Sequence, residues 1–340
     1  MTVRSLAALR WSVALSALLG VVVVAAVGVG PVPIAPATTV AILGSLVGVV
    51  DPATLAPSER LIIAEIRLPR VLLAGLVGIA LATAGAVMQG FFRNPLADPS
   101  IIGVSSGAAV GAVAVIVVGV SLPWGLGLQA AAFTAAVATG FTVYLIARRG
   151  GRTPVATLLL AGVAIQAFLG AVISFMTLLS GWDMRRVLYW LMGHLGGTGW
   201  GDLSAIAVVV PVLVTATYLH AHALNVLTLG EPSAQAVGIA VERTKQRLLV
   251  LASVLTAVAV AVTGVIGFVG LIVPHGMRLV VGADHRVLLP TSALAGASFL
   301  IIADAIARSA AAELPVGIVT AAVGAPFFLY LLRREGAVEL

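Results

Sequence analysis

The chain has 340 residues, of which 61% are hydrophobic and only 9% charged, against roughly 25% charged in a soluble domain. Its mean hydropathy of +1.16 excludes a water-soluble fold, because no such fold hides that much apolar surface; a bilayer does, at about 20 apolar residues per helical span. With no cysteine the chain has no disulfide, thiol nucleophile or thiolate metal site, and its net charge of +6 is carried by too few residues to suggest nucleic acid as a partner, so its distribution is read as topology.

Apolar runs interrupted by charge, proline and glycine predict about ten transmembrane helices in a single domain over residues 1–340, an all-α membrane protein. The runs lie near 11–30, 69–91, 100–120, 124–147, 155–179, 203–220, 247–265, 267–282, 287–306 and 315–332. The eighth is short and contains Pro274, so it is expected to be broken. Ten spans place both termini on one side. That side receives Arg4, Arg10, Arg93, Arg148, Arg149, Arg152, Arg243, Lys245, Arg247, Arg278, Arg286, Arg333 and Arg334, thirteen of the 19 basic residues. The other receives Arg60, Arg67, Arg70, Arg185, Arg186 and Arg308. The positive-inside trend therefore puts both termini in the cytoplasm. The first run is longer than the apolar part of a signal peptide and is expected to be a retained helix.

Two stretches are too polar to span. Residues 31–66, with Pro31, Pro33, Pro36, Pro52 and Pro57, are expected outside; residues 221–246 are expected in the cytoplasm. A weak internal echo links TAGAVMQGFFRNP at 83–95 with TGVIGFVGLIVP at 263–274, and SSGAAVGA at 105–112 with TSALAGAS at 291–298. An inverted repeat, common in transport folds, and a shared Gly/Ala composition both account for it. Glycines three and four apart, at Gly75, Gly78, Gly85 and Gly90 and at Gly103, Gly107 and Gly111, predict close helix packing.

No set of polar side chains suggests catalysis, and no metal site is indicated. There is no HExxH and no GxxxxGK[ST]; Lys245 is the only lysine, so any ATP must bind elsewhere. Ion coupling would place an acid in mid-membrane. The spans are nearly free of them; Asp304 and Glu313 are expected near the outer mouth of the last two spans, where solvated ion pairing is the plain reading. An ion-coupled secondary transporter with inverted repeats stands as the alternative reading, and a channel as a third.

Six blocks in order carry a resemblance over about residues 60–335: RLPR at 67–70, GAVMQGFFRNPLADPSIIGVSSGA at 85–108, YWLMGHLGG at 189–197, GEPSAQAVGI at 230–239, GFVGLIVPHGMRLVVGADHRVLLPTSALAGAS at 267–298 and ELPVGIVTAAVGAPFFLYLL at 313–332. Together they resemble the iron-chelate and cobalamin permease family of ABC importers, of the type II importer fold. The resemblance implies a homodimer of ten-helix subunits in the bacterial cytoplasmic (inner) membrane. Each subunit would be served by a cytoplasmic ATPase that holds ATP and Mg, with no cofactor in this chain. A periplasmic or lipid-anchored binding protein would dock outside, and the cargo would be a metal chelate: haem, a ferric siderophore or cobalamin.

Particular residues follow from it. Arg67, Arg70 and Arg308 oppose the charge trend, and the resemblance implies that they meet acidic residues of the binding protein; headgroup anchoring is the plainer reading. The segment 228–246 becomes the ATPase-coupling element, with Glu231, Gln235, Gly238 and Arg243 as contacts. Pro232 suits the first turn of a short helix and Gly238 its end. Asn94 and Leu96, with Val155 and Ala156, are implied to form the inner gate, although a simple turn explains the first pair equally well. Met88, Gln89, Tyr189, Trp190, Met192 and His194 are candidate pathway residues. His194 is a candidate transient contact for haem iron, while Tyr189 and Trp190 also suit an interfacial aromatic belt.

Overall fold

The computed structural model describes residues 3–119, 127–148, 150–310 and 312–336. Residue 120 at the end of the third expected run, residues 124–126 at the start of the fourth, and Arg149 lie outside these residues. A helix covers each expected run: α1 (Val3–Gly28), α4 (Leu68–Phe92), α5 (Val104–Val118), α6 (Gly127–Ala147), α7 (Val155–Leu179), the abutting α9 (Trp200–Ala207) and α10 (Val209–Tyr218), α13 (Val241–Thr263), α14 (Val269–Val281), α15 (His285–Ser309) and α16 (Val316–Gly336). Among the described residues, seven helical stretches are long and apolar enough to cross a bilayer, and α5 and α14 are shorter apolar helices.

The segment expected as a polar outer stretch is itself largely helical. Pro36 opens α2 (Pro36–Leu46), Pro52 a single 3₁₀ turn, and Pro57 opens α3 (Pro57–Leu61). Proline is favourable there because the first helical residue has no intrahelical partner for its N–H. A π-wide stretch, Ile62–Arg67, then joins α3 to α4 without a break. The remaining short helices are α8 (Met184–Leu191), α11 (Ala221–Thr228) and α12 (Glu231–Ala236).

The bundle is built around α4, whose hydrophobic stretch is 83% buried, whereas that of α7 is 17% buried. Close approach at glycine explains how α4 sits in the centre. A Cβ on Gly78 would lie 2.2 Å from the Gly296 carbonyl oxygen on α15, and one on Gly85 would lie 1.9 Å from the Gly270 oxygen on α14. The glycine spacing on α5 works likewise against α6, where a Cβ on Gly111 would lie 2.3 Å from the Ala131 carbonyl oxygen. Helix α14 is short as expected, but Pro274 lies inside it without breaking it. Proline deprives the carbonyl four residues earlier of its donor. That carbonyl is Gly270, the one against which Gly85 packs.

Candidate functional site: charged clusters at the two ends of the bundle

Charge collects at the two ends of the helical bundle. At the end expected to face outward, α1 stops at Gly28 and leaves its last carbonyls without intrahelical donors. Two arginines supply them. Arg67 Nη1 donates to Gly28 O at 2.8 Å and to Val27 O at 3.3 Å, and its Nη2 to Val32 O. Arg308 donates to Val29 O at 3.1 Å and Ala26 O at 3.2 Å. A guanidinium suits this position twice over, since it brings several donors and its charge complements the negative end of the helix dipole.

Arg70 holds the centre of the same cluster. Its Nη2 and Nε reach Asp304 Oδ1 at 2.7 and 3.0 Å, and its Nη1 reaches Glu313 Oε1 at 2.6 Å. Asp304 Oδ2 lies 2.9 Å from Arg308 Nε, one helical turn along α15, as an ion pair outside hydrogen-bond angles. The side chain of Asp304 is 0% exposed and that of Glu313 46% exposed. A buried carboxylate is tolerated only when paired and hydrogen-bonded, and Asp304 has two guanidinium partners.

These positions revise two expectations. Arg67, Arg70 and Arg308 are 4%, 8% and 5% exposed, so they are interior clasps of α1, α4 and α15 rather than a free cationic surface. Asp304 is a buried hub and not half of a solvated pair. Glu313 alone of the five presents a substantial face to the surroundings.

The candidate pathway residues divide. Met88 and Gln89 point into the protomer's own core: Met88 is fully buried, and Gln89 Nε2 donates to Leu271 O on α14 at 3.0 Å. Tyr189, Trp190 and His194 line a polar recess of about 380 Å³ that also meets Gln129, Arg186 and Asp202. Tyr189 Oη donates to Glu313 O at 2.8 Å, which fastens this recess to the outer cluster, and the Tyr189 and His194 rings meet edge to face at 5.9 Å. Burial, and then the charge of Arg70, hold the His194 imidazole below its ordinary pKa, with Glu313 opposing. Met192 is exposed.

At the opposite end, α12 begins with Glu231 and Pro232, and Gly238 follows it with φ +83°, a backbone conformation that favours glycine. The helix start and its stop lie where the sequence put them. Gln235, Gly238 and Arg243 are exposed. Glu231 instead turns inward to Lys245, which also meets Glu242 and the Thr153 carbonyl. Lys245 stood out in the sequence only as the sole lysine, and its link to Thr153 was not legible, because nothing local relates Thr153 to a lysine 92 residues away. Nearby, Asp284 caps α15 through the Arg286 N–H at 3.0 Å and accepts from Asn225 Nδ2 at 2.6 Å. Burial pushes its pKa up, but these bonds and the adjacent positive charges hold it below the usual carboxylate range.

Of the gate candidates, Asn94 Oδ1 accepts from Leu96 N–H at 2.9 Å and closes the turn after α4, where Arg93 takes φ 50°. Val155 and Ala156 are the first two residues of α7, with Ala156 exposed. A hydrogen bond between the two segments lies further on, from Gln166 Nε2, ten residues past Ala156, to Ile101 O at 2.8 Å.

Among the described residues, an all-helical bundle with apolar flanks and charge gathered at its ends fits a polytopic membrane protein. The chain belongs to the FecCD transport family, whose model matches residues 17–334. It is 57% identical over 276 residues to the cobalamin import system permease protein BtuC of Halobacterium salinarum, covering 81% of this chain and 74% of that one. It is 46% identical over 278 residues to the hemin transport system permease protein HmuU of Yersinia pestis, covering 80% and 83%. The solved inward-facing structure of a metal-chelate type ABC transporter superposes with TM-score 0.84 at 32% identity, over 96% of this chain and 99% of that one.

Proposed function

We propose that this protein is the membrane-spanning permease of an ATP-driven importer, and that it passes a bulky metal chelate (cobalamin, haem or a ferric siderophore) into the cytoplasm. The observation that carries the reading is the near-complete superposition on a metal-chelate ABC permease. The relatives named for cobalamin and for hemin support the same cargo class and leave the choice between them to experiment.

In this reading the ten helical runs are ten spans, with both termini in the cytoplasm, the halves related by an inverted repeat, and the subunit paired with a second copy in the cytoplasmic membrane. Large apolar side chains exposed along α7, among them Leu160, Phe168, Phe175 and Leu178, fit lipid or that second copy. Two separate ATPase subunits hold ATP and Mg and contact the exposed face of Gln235, Gly238 and Arg243, while Asn94, Leu96, Val155 and Ala156 form the inner gate. A binding protein delivers the chelate at the outer end. There an incoming carboxylate reaches Arg70 by replacing Glu313, the exposed partner of its Nη1, rather than by meeting a vacant arginine surface. Arg67 and Arg308 then serve docking by holding the frame in which Arg70 sits.

The test is uptake by proteoliposomes containing the permease, its ATPase and its binding protein, with cyanocobalamin and haem offered separately. ATP-dependent accumulation of either chelate is expected. Accumulation that proceeds without the ATPase subunit would contradict the reading and favour ion coupling.

A further inference from the structure

The only lysine of the chain is consumed entirely at the inner end of the bundle. Lys245 is 5% exposed, and its ammonium has three donors. Its Nζ reaches the Thr153 carbonyl at 2.6 Å, Glu231 Oε1 at 3.1 Å and Glu242 Oε1 at 3.2 Å. Each acceptor belongs to a different element: the loop before α7, the first residue of α12, and the first turn of α13. Glu242 closes the figure, because its Oε2 accepts the Thr153 N–H at 3.1 Å. Both backbone polar groups of Thr153 are therefore held by one ion pair.

Thr153 is a sensitive place to hold. The next residue, Pro154, is extended (φ −63°, ψ 132°) and serves as N-cap, so α7 starts at Val155 without slack. A residue before proline is itself confined to extended conformations. Displacement of Thr153 must accordingly be passed to the first turn of α7 rather than absorbed in the loop. On the other side, Glu231 is the first residue of α12, so movement of that helix pulls directly on Lys245 Nζ.

We propose that Lys245, with Glu242, is the positioning residue that carries motion of α12 to the start of α7, making the coupling helix and the inner gate one mechanical unit. This rests on the coupling and gate assignments above and adds the linkage between them. The design is economical in electrostatics: two carboxylates and a carbonyl satisfy a cation that would otherwise be costly to bury. The carboxylates are 36% and 33% exposed, so the node stays hydrated enough to rearrange.

The experiment uses the complete assembly of permease, ATPase and binding protein in nanodiscs, with one spin label per copy at Ala156→Cys. The inter-label distance is measured with and without ATP, and chelate imported per ATP hydrolysed is measured in proteoliposomes. The unmodified node should show an ATP-dependent distance change. In Lys245→Met the ATPase should still co-purify, the distance change should be lost, and chelate per ATP should fall at least fivefold. Lys245→Arg, which keeps the charge and donors, should recover at least half of that ratio. A Lys245→Met assembly with the original distance change and ratio overturns the proposal. So does an Arg variant as defective as Met, since that would indicate packing alone. If Lys245→Met does not assemble, Glu242→Gln, of unchanged shape, is judged by the same two measurements. Labels that ignore ATP with the node intact would refute the gate assignment itself, and this inference with it, before any node variant is compared.

Discussion

The two ends of the bundle solve the same electrostatic problem with opposite consequences. At the outer end, Arg70, Asp304 and Arg308 stand on helices α4 and α15, which are locked together by the Gly78–Gly296 approach, and Asp304 is wholly buried. At the inner end, Lys245 is also buried, but two of its partners are partly hydrated carboxylates and the third is a loop carbonyl. Buried charge on rigid helices makes a fixed clasp. Buried charge shared among a short helix, a loop and a helix start makes a joint. The importer proposed above, driven from the cytoplasm, needs a stable outer frame and a responsive inner end, and the placement of charge fits both.

The comparison can be strained from either end. The largest effect is expected at Asp304→Asn. This neutralises the buried carboxylate that bridges Arg70 and Arg308 and leaves the half-exposed Glu313 as the remaining anion of the cluster, at a cost of about 3–5 kcal/mol. Thermal melting of the purified permease should drop sharply or folded protein should fail to accumulate; an unchanged melting temperature would show that the clasp does not hold the frame. Lys245→Met should cost less, about 1–3 kcal/mol, because its carboxylates can turn to solvent. A melting loss exceeding that of Asp304→Asn would reverse the assignment of clasp and joint. Glu313→Gln should be mildest, under about 1 kcal/mol, as expected of a half-exposed ion pair. It should nevertheless strengthen capture of the binding protein in a pull-down, since Arg70 would lose its competing carboxylate. Weaker capture would mean that Glu313 itself forms part of the landing surface.

Much of the fold was legible because hydropathy alone reports membrane spans, and because Pro232 and Gly238 carry local rules for starting and ending a helix. What escaped were relations between distant residues and the facing of helices. Arg70 and Asp304 are 234 residues apart. Their union was invisible, although the Asp304–Arg308 spacing of one turn was a readable hint. Met88 and Gln89, candidates for the pathway, lie in the protomer's core; a nearly all-apolar helix such as α4 offers no polar face from which to orient it. The three arginines were correctly marked as exceptions to the charge trend. Sequence could not reveal that the free carbonyls at the end of α1 would claim two of them.

Hydrogen exchange of the assembled transporter, followed by mass spectrometry with and without ATP, tests the division of labour most directly. Exchange should change in residues 150–158 and 228–246 and stay the same in 64–72 and 300–309. ATP-dependent change confined to the outer segments, with the inner ones unaffected, would contradict the account.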